Sequence, residues 1–188
     1  MKISFIINEK DKTSMKTRTI IIIFLTMSYI SSFGQSIDSI PDKNNCVVDT
    51  VIKYGPKISP TYKKAVCTEL IIKVIEKFYV LDKTDKSRIR IITNEDIQTL
   101  MSKDSSIPKG VYYALTAKGI GIPIDNIQQV QAGDFVQFWT ETWGHCGIVK
   151  SINYEANTMD LYSSFPSTDG YGIQRFNIPA YCYFVRLK

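Results

Sequence analysis

The chain has 188 residues, a formal net charge of +5 and 44% hydrophobic residues, which is typical of a globular protein with one domain around a single core. Its lysines and arginines do not form clusters interleaved with aromatic residues, so we predict no nucleic-acid-binding surface. One histidine and four cysteines without a close pair argue against a structural zinc site, and we predict no metal or other cofactor.

Residues 1–34 have the layout of a leader and secretory signal peptide. A basic stretch at 15–18 precedes a mostly apolar run at 20–30, and the small residues at 31–34 suit a cleavage site. The apolar run is shorter than the ~20 residues of a membrane span, so we expect no stable membrane anchor after cleavage. The remaining 154 residues would carry a net charge of +2 and would be secreted or periplasmic.

A location outside the cytoplasm would allow the cysteines to form disulfides. Cys182, in the last predicted strand, is a candidate partner for Cys146 or for Cys46. The sequence does not decide between the two pairings.

The segment before the domain is interpreted as a linker or arm over residues 35–53. Residues 47–54 favour a short strand or an extended arm, and proline-containing breaks follow at 55–56 and 59–60. We therefore place the domain at residues 54–188.

An amphipathic helix is predicted to begin at or just after Cys67. Its apolar residues recur at helical spacing: Leu70, Ile71, Val74, Ile75 and Phe78. The free N–H groups and the positive dipole end at a helix start favour a thiolate, which would lower the pKa of Cys67 and make its sulfur nucleophilic. The alternative interpretation is a small buried side chain that packs the helix start.

Residues 82–130 show no recognisable chemistry and are interpreted as scaffold or as one wall of a groove. The elements predicted there are a charged loop at 82–90, a short strand at 89–92, and helices at 95–101 and 108–118.

The last third of the chain has the pattern of an antiparallel sheet of about five strands, because short β-type runs follow one another with short connections. The predicted strands are 135–139, the strand entered at His145, 159–164, 173–178 and 181–187. Helices followed by such a sheet indicate an α+β fold.

His145 is the only histidine of the chain. It lies between a glycine and a cysteine at the start of a predicted strand, and Ile148 and Val149 carry that strand into the core. Any acid–base chemistry by an imidazole near neutral pH must therefore use His145. A surface or purely structural role is the alternative.

Taken together, these motifs resemble the NlpC-type cell-wall cysteine peptidases and the related CHAP amidases. The matching residues are Tyr54-Gly55 with Ser59-Pro60, Cys67 with Leu70 and Ile71, Gly133-Asp134-Phe135-Val136, and Gly144-His145-Cys146-Gly147-Ile148-Val149. The resemblance covers about residues 54–80 and 131–187. It implies a papain-like fold, with N-terminal helices packed on the C-terminal sheet.

The resemblance also implies a secreted cysteine hydrolase that cleaves amide bonds in peptidoglycan peptides. Cys67 would be the nucleophile, and His145 would act as general base and acid. In the family, a polar residue on the strand after the histidine completes the site. Ser163 lies nearest that position, Ser164 lies beside it, and Asp160 would be a charged alternative.

Further site residues are implied by the same resemblance. Tyr54 would help to fix the substrate, and Trp143 and Ser164 are candidates for the groove. Asp134 should close the turn before its strand, and Cys146 should point away from His145 into the core. The segment 66–69 is bulkier than the Asp-Cys-Ser-Gly of the family and would narrow the cleft.

Two other functions remain open. One is a binding module on the same scaffold that holds wall peptides or a protein without turnover, and the other is a cysteine protease or acyltransferase with a protein or lipid substrate. A protein inhibitor is a further candidate partner. Wall remodelling and delivery as a toxin are equally compatible with the sequence.

Overall fold

The computed structural model describes residues 42–91 and 110–188. This part of the chain is an α+β domain with four helices and a six-stranded antiparallel sheet. The helices are α1 (Lys43–Ile58), α2 (Cys67–Ile75), α3 (Lys83–Arg90) and α4 (Val111–Ala117). The strands are β1 (Gly121–Ile124), β2 (Phe135–Trp139), β3 (Gly144–Asn153), β4 (Thr158–Phe165), β5 (Gly170–Asn177) and β6 (Tyr181–Leu187). None of the helices described has the length and apolar character needed to cross a membrane.

The sheet has the strand order β1-β6-β2-β3-β4-β5, and every neighbouring pair is antiparallel. The prediction of five strands was wrong by one, because β1 was not recognised. This strand has only four residues and contains Pro123. A proline removes one ladder hydrogen bond, which an edge strand such as β1 tolerates.

Helix α1 replaces the arm and the short strand that were predicted before residue 58. Asp42 caps its start by accepting a hydrogen bond from the Asn44 backbone N–H. Val47, Val51 and Gly55 are buried at a spacing of four residues, so they form one face of a helix. The prediction was wrong because valines also favour strands and because Pro56 looked like a break, yet it lies in the last turn.

Helix α2 begins at Cys67, as the sequence predicted. Its buried residues are Leu70, Ile71, Ile72, Val74 and Ile75. The helix packs against β3 and β4, which brings its first residue next to the start of β3.

Helix α3 corrects the charged loop predicted at 82–90 and the strand predicted at 89–92. Asp82 and Asp85 form a capping box in which each carboxylate accepts a hydrogen bond from the other's backbone N–H. Ile91 ends the helix in the left-handed conformation, with φ 48°. The helix predicted at 95–101 lies outside the described residues, whereas α4 confirms the helix predicted at 108–118 over Val111–Ala117.

The two faces of the sheet support two groups of buried residues. On the helix side, Phe135, Cys146 and Ile148 pack with α2. On the opposite side, Phe138 and Phe165 pack with residues that include Val136, Val149, Met159 and Leu161. Neighbouring residues of a strand face opposite sides, so Cys146 faces the helices and His145 begins the other face.

Candidate functional site

Cys67 is the first residue of α2 and follows a loop that serine hydroxyls hold in place. Ser59 and Ser164 both donate hydrogen bonds to the carbonyl of Ala65, at 2.7 and 2.5 Å, and their oxygens are 2.8 Å apart. No side chain caps the helix at Val66. The first-turn N–H groups beside Cys67 are therefore left without helical acceptors.

Aromatic side chains fix the ring of His145 at the beginning of β3. The ring is 7% exposed and stacks on Phe165 with centroids 4.9 Å apart and planes at 19°. Phe138, Phe176 and Trp143 surround it at 5.8, 5.9 and 6.1 Å between centroids. The imidazole thus has one defined position.

The structure brings Cys67 and His145 together, as the sequence predicted. Hydrogen bonds from the Cys146 thiol and the His145 imidazole, the charge of His145, and the Cys146 backbone N–H lower the pKa of Cys67 to about 4. Burial acts in the opposite direction but is outweighed. The Cys67 sulfur is therefore a thiolate at neutral pH.

Cys146 lines the smaller cavity together with Cys67. Its hydrogen bond to Cys67 and its complete burial raise its pKa well above the ordinary value. Cys146 is thus a thiol facing a thiolate. Its place on the helix side of the sheet confirms the prediction that it points away from His145 into the core.

Two cavities meet at the pair, and both Cys67 and His145 line each of them. The smaller has a volume of about 180 Å³ and is also lined by Thr68, Gln137 and Trp139. The larger has a volume of about 400 Å³, and the aromatic residues that line it include Tyr62, Trp143, Phe165 and Phe176. The Cys67 sulfur is therefore reached from two adjoining cavities.

The residues proposed to orient the imidazole do not contact it. The Ser163 hydroxyl donates to the carbonyl of Cys146 at 2.8 Å, and Asp160 binds Arg175 at 2.7 and 3.0 Å. The β3–β4 register pairs Ile148 with Tyr162, and its continuation sets Phe165 opposite His145. Nε2 of His145 is buried without a hydrogen-bond partner among the described residues.

Of the three predicted substrate contacts, Trp143 lies in the cleft and the other two do not line it. Trp143 is 41% exposed at the larger cavity. Ser164 is fully buried and holds the loop before Cys67. Tyr54 lies on α1 beneath the ammonium groups of Lys53 and Lys77.

Tyr62, and not Tyr54, lines the larger cavity beside Cys67. It lies in the loop five residues before Cys67 and lines the larger cavity, and its pKa is raised by burial and by the nearby sulfurs of Cys67 and Cys146. The tyrosine-glycine motif at 54–55 led to the wrong choice, because α1 continues through it. The feature of the sequence that could have indicated Tyr62 is its position five residues before Cys67.

Gln137 is a further site residue that the sequence did not indicate. Its side chain is buried on β2 and donates a hydrogen bond to the carbonyl of His145 at 2.9 Å. Its Oε1 has no partner within the described residues and the side chain lines the smaller cavity. Gln137 therefore holds the backbone that carries the imidazole.

Asp134 closes the turn before β2, as predicted, and also does more. Its carboxylate accepts hydrogen bonds from the Gln131 backbone, the Asn44 amide and the Arg186 guanidinium at 2.8 to 2.9 Å. Four donors thus join the turn, α1 and β6 at one fully buried carboxylate. The role is structural, and Arg186 was not recognised from the sequence.

The cysteines form neither a disulfide nor part of a metal site in the described residues. None of the four cysteines is in a disulfide, and Cys182 packs on the sheet face opposite Cys146, so these two cannot bridge. In the described ranges, no three His, Cys, Asp or Glu side chains are grouped to hold a metal ion.

Comparisons of the chain with protein-family models, curated proteins and solved structures give no match.

Proposed function

We propose that this protein is a cysteine hydrolase of amide bonds, with Cys67 as nucleophile and His145 as the acid–base group. One observation carries the proposal: Cys67 at a helix start, with its pKa lowered by the neighbouring Cys146 and His145, lines the same open cleft as His145, the only histidine of the chain. A cysteine with only a packing role has no need of a depressed pKa or an imidazole.

The proposed reaction follows from the position of each group. The Cys67 sulfur attacks the carbonyl carbon, and the first-turn N–H groups of α2 stabilise the oxyanion. His145 then donates a proton to the leaving amine, which leaves a thioester on Cys67. Water activated by His145 hydrolyses the thioester and restores the thiolate.

We propose peptidoglycan peptides as the substrate and a papain-like arrangement as the scaffold. The order of motifs is that of the NlpC-type peptidases and CHAP amidases, and helices packed on an antiparallel sheet are compatible with it. The signal-like leader fits a wall substrate, because it would deliver the protein outside the cytoplasm.

A binding module on the same scaffold is the second candidate, and the surroundings of His145 favour it. A general base normally has a polar partner that orients its ring, whereas here Phe165 stacks on the ring and Nε2 is unpaired in the described part of the chain. Such a ring fits a site that holds a peptide without cleaving it.

Digestion of purified peptidoglycan separates the two candidates. We expect wild-type protein to release new amine ends, and the Cys67→Ala variant to release none, with fragment masses that identify the bond. If neither protein cuts but both sediment with the wall, hydrolysis is excluded and the binding module takes its place. Protein that neither cuts nor binds the wall would exclude peptidoglycan as the ligand.

A further inference from the structure

The two sulfurs of Cys67 and Cys146 form a contact that amide hydrolysis does not require. Cys67 is the first residue of α2 and Cys146 the third residue of β3, and both belong to the packed core on the helix side of the sheet. Both side chains line the smaller cavity. Amide hydrolysis needs only one nucleophilic sulfur, so a second thiol beside it can serve another reaction.

We propose that Cys67 and Cys146 form a peroxide-sensitive dithiol centre, in which Cys67 reduces a hydroperoxide and Cys146 then closes a disulfide with it. Cys67 would thus be a site of reversible oxidation, and the pair would also have a hydroperoxide-reducing activity. It takes a small hydroperoxide through the cleft that exposes Cys67, and a small dithiol restores it.

The first step is a two-electron oxidation of Cys67. The thiolate attacks the terminal oxygen of the hydroperoxide, the S–O bond forms as the O–O bond breaks, and the alkoxide or hydroxide that leaves takes a proton from solvent to become the alcohol or water. Cys67 becomes a sulfenic acid. Low thiol pKa and access to solvent are the two features that make a cysteine susceptible, and Cys67 has both.

The second step joins the two sulfurs. The Cys146 sulfur attacks the sulfenic sulfur, hydroxide leaves and takes up the Cys146 proton as water, and the S–S bond forms. Both side chains already face one cavity of about 180 Å³, and the start of α2 moves toward β3 until the two sulfurs reach bonding distance. Cys146 is 1% exposed, which prevents external oxidants from reaching it first.

The two remaining cysteines lack this arrangement. Cys182 packs on the opposite face of the sheet, and burial raises the pKa of its thiol far above the ordinary range. Cys46 lies on α1. The disulfide should therefore be selective for the pair at the cleft. It would also remove the nucleophile and stop the proposed hydrolysis until a dithiol reduces it.

Mass spectrometry of the full chain tests the dithiol centre directly. Reduced protein is treated with stoichiometric hydrogen peroxide under native conditions, remaining thiols are alkylated, and the protein is digested with trypsin. We expect a linked pair of peptides 65–73 and 119–150, a loss of about 2 Da, and full reversal by dithiothreitol. The matched control Cys182→Ser should give the same linked pair.

The Cys146→Ser variant, checked for native circular dichroism, shows whether Cys146 resolves the sulfenic acid. Dimedone should trap Cys67 in this variant, and excess peroxide should carry Cys67 on to sulfinic acid. The proposal is overturned if wild-type Cys67 is oxidised to sulfinic acid as readily as Cys67 of the variant, or if it is linked to Cys46 or Cys182. If the variant does not fold, the linked peptides of the wild-type protein decide alone. Protein that forms the linked pair but leaves peptidoglycan intact would refute the proposed hydrolysis of peptidoglycan and not the dithiol centre.

Discussion

The His145→Ala variant should hydrolyse its amide substrate about 10³-fold more slowly than the wild-type protein, within the 10²–10⁴ range of general acid–base catalysis. The loss should appear in kcat, because the imidazole acts on the leaving amine rather than on ground-state binding. Binding of the substrate should change little. Steady-state kinetics on the fragment identified by digestion measures both quantities.

A matched variant makes this result specific. Asp160 was an alternative partner for the imidazole, but its carboxylate binds Arg175 away from the cleft. Asp160→Ala should therefore keep the wild-type rate. If His145→Ala retains the wild-type kcat, or if Asp160→Ala loses as much activity as His145→Ala, the assignment of the acid–base group is wrong.

The Asp134→Ala variant should lower the free energy of unfolding by about 3 kcal/mol. Removing the carboxylate takes one acceptor from the buried Asn44 amide and the main acceptor from the Arg186 guanidinium, which keep only the carbonyls of Ala132 and Gln129. Unsatisfied buried donors are costly. The same change weakens the connection of α1 to the turn before β2, which then depends on the hydrogen bond from the Asn44 amide to the Ala132 carbonyl. Urea unfolding followed by circular dichroism gives the value.

Asp160→Ala also serves as the control for stability. Like Asp134→Ala, it removes an aspartate that pairs with an arginine. Arg175, however, is 71% exposed, so water replaces the lost carboxylate as its hydrogen-bond partner. We expect nearly unchanged unfolding for this variant. Equal losses in Asp134→Ala and Asp160→Ala would contradict the importance of the buried network.

The elements that could be predicted from the sequence are those whose own residues carry a recognisable pattern. The helix at Cys67 was predictable because apolar residues recur every three to four positions, and strands β2 to β6 because short β-type runs follow one another with short connections. Helix α1 was missed because its burial depends on a distant contact. A Cβ at Gly55 would lie 2.4 Å from the Tyr171 ring, so glycine lets the helix approach β5 there.

The site was partly predictable for the same reason. Cys67 and His145 were recognised from their local contexts, whereas the surroundings of the imidazole depend on pairing between strands. Ser163 was chosen by its position in the sequence, but the register sets Phe165 opposite His145. Tyr62 was missed because the motif at Tyr54 was taken for a loop.

The rate of Cys67 alkylation as a function of pH tests the central claim most directly, because it measures the thiolate without a substrate. Mass spectrometry follows peptide 65–73 after short exposure of wild-type protein to iodoacetamide. A pKa lowered to about 4 keeps the thiolate fully populated above pH ~6, so the rate should change less than about twofold between pH ~6 and ~8. A rate that rises about tenfold per pH unit over this range would show an ordinary thiol and contradict the Cys67–His145 pair.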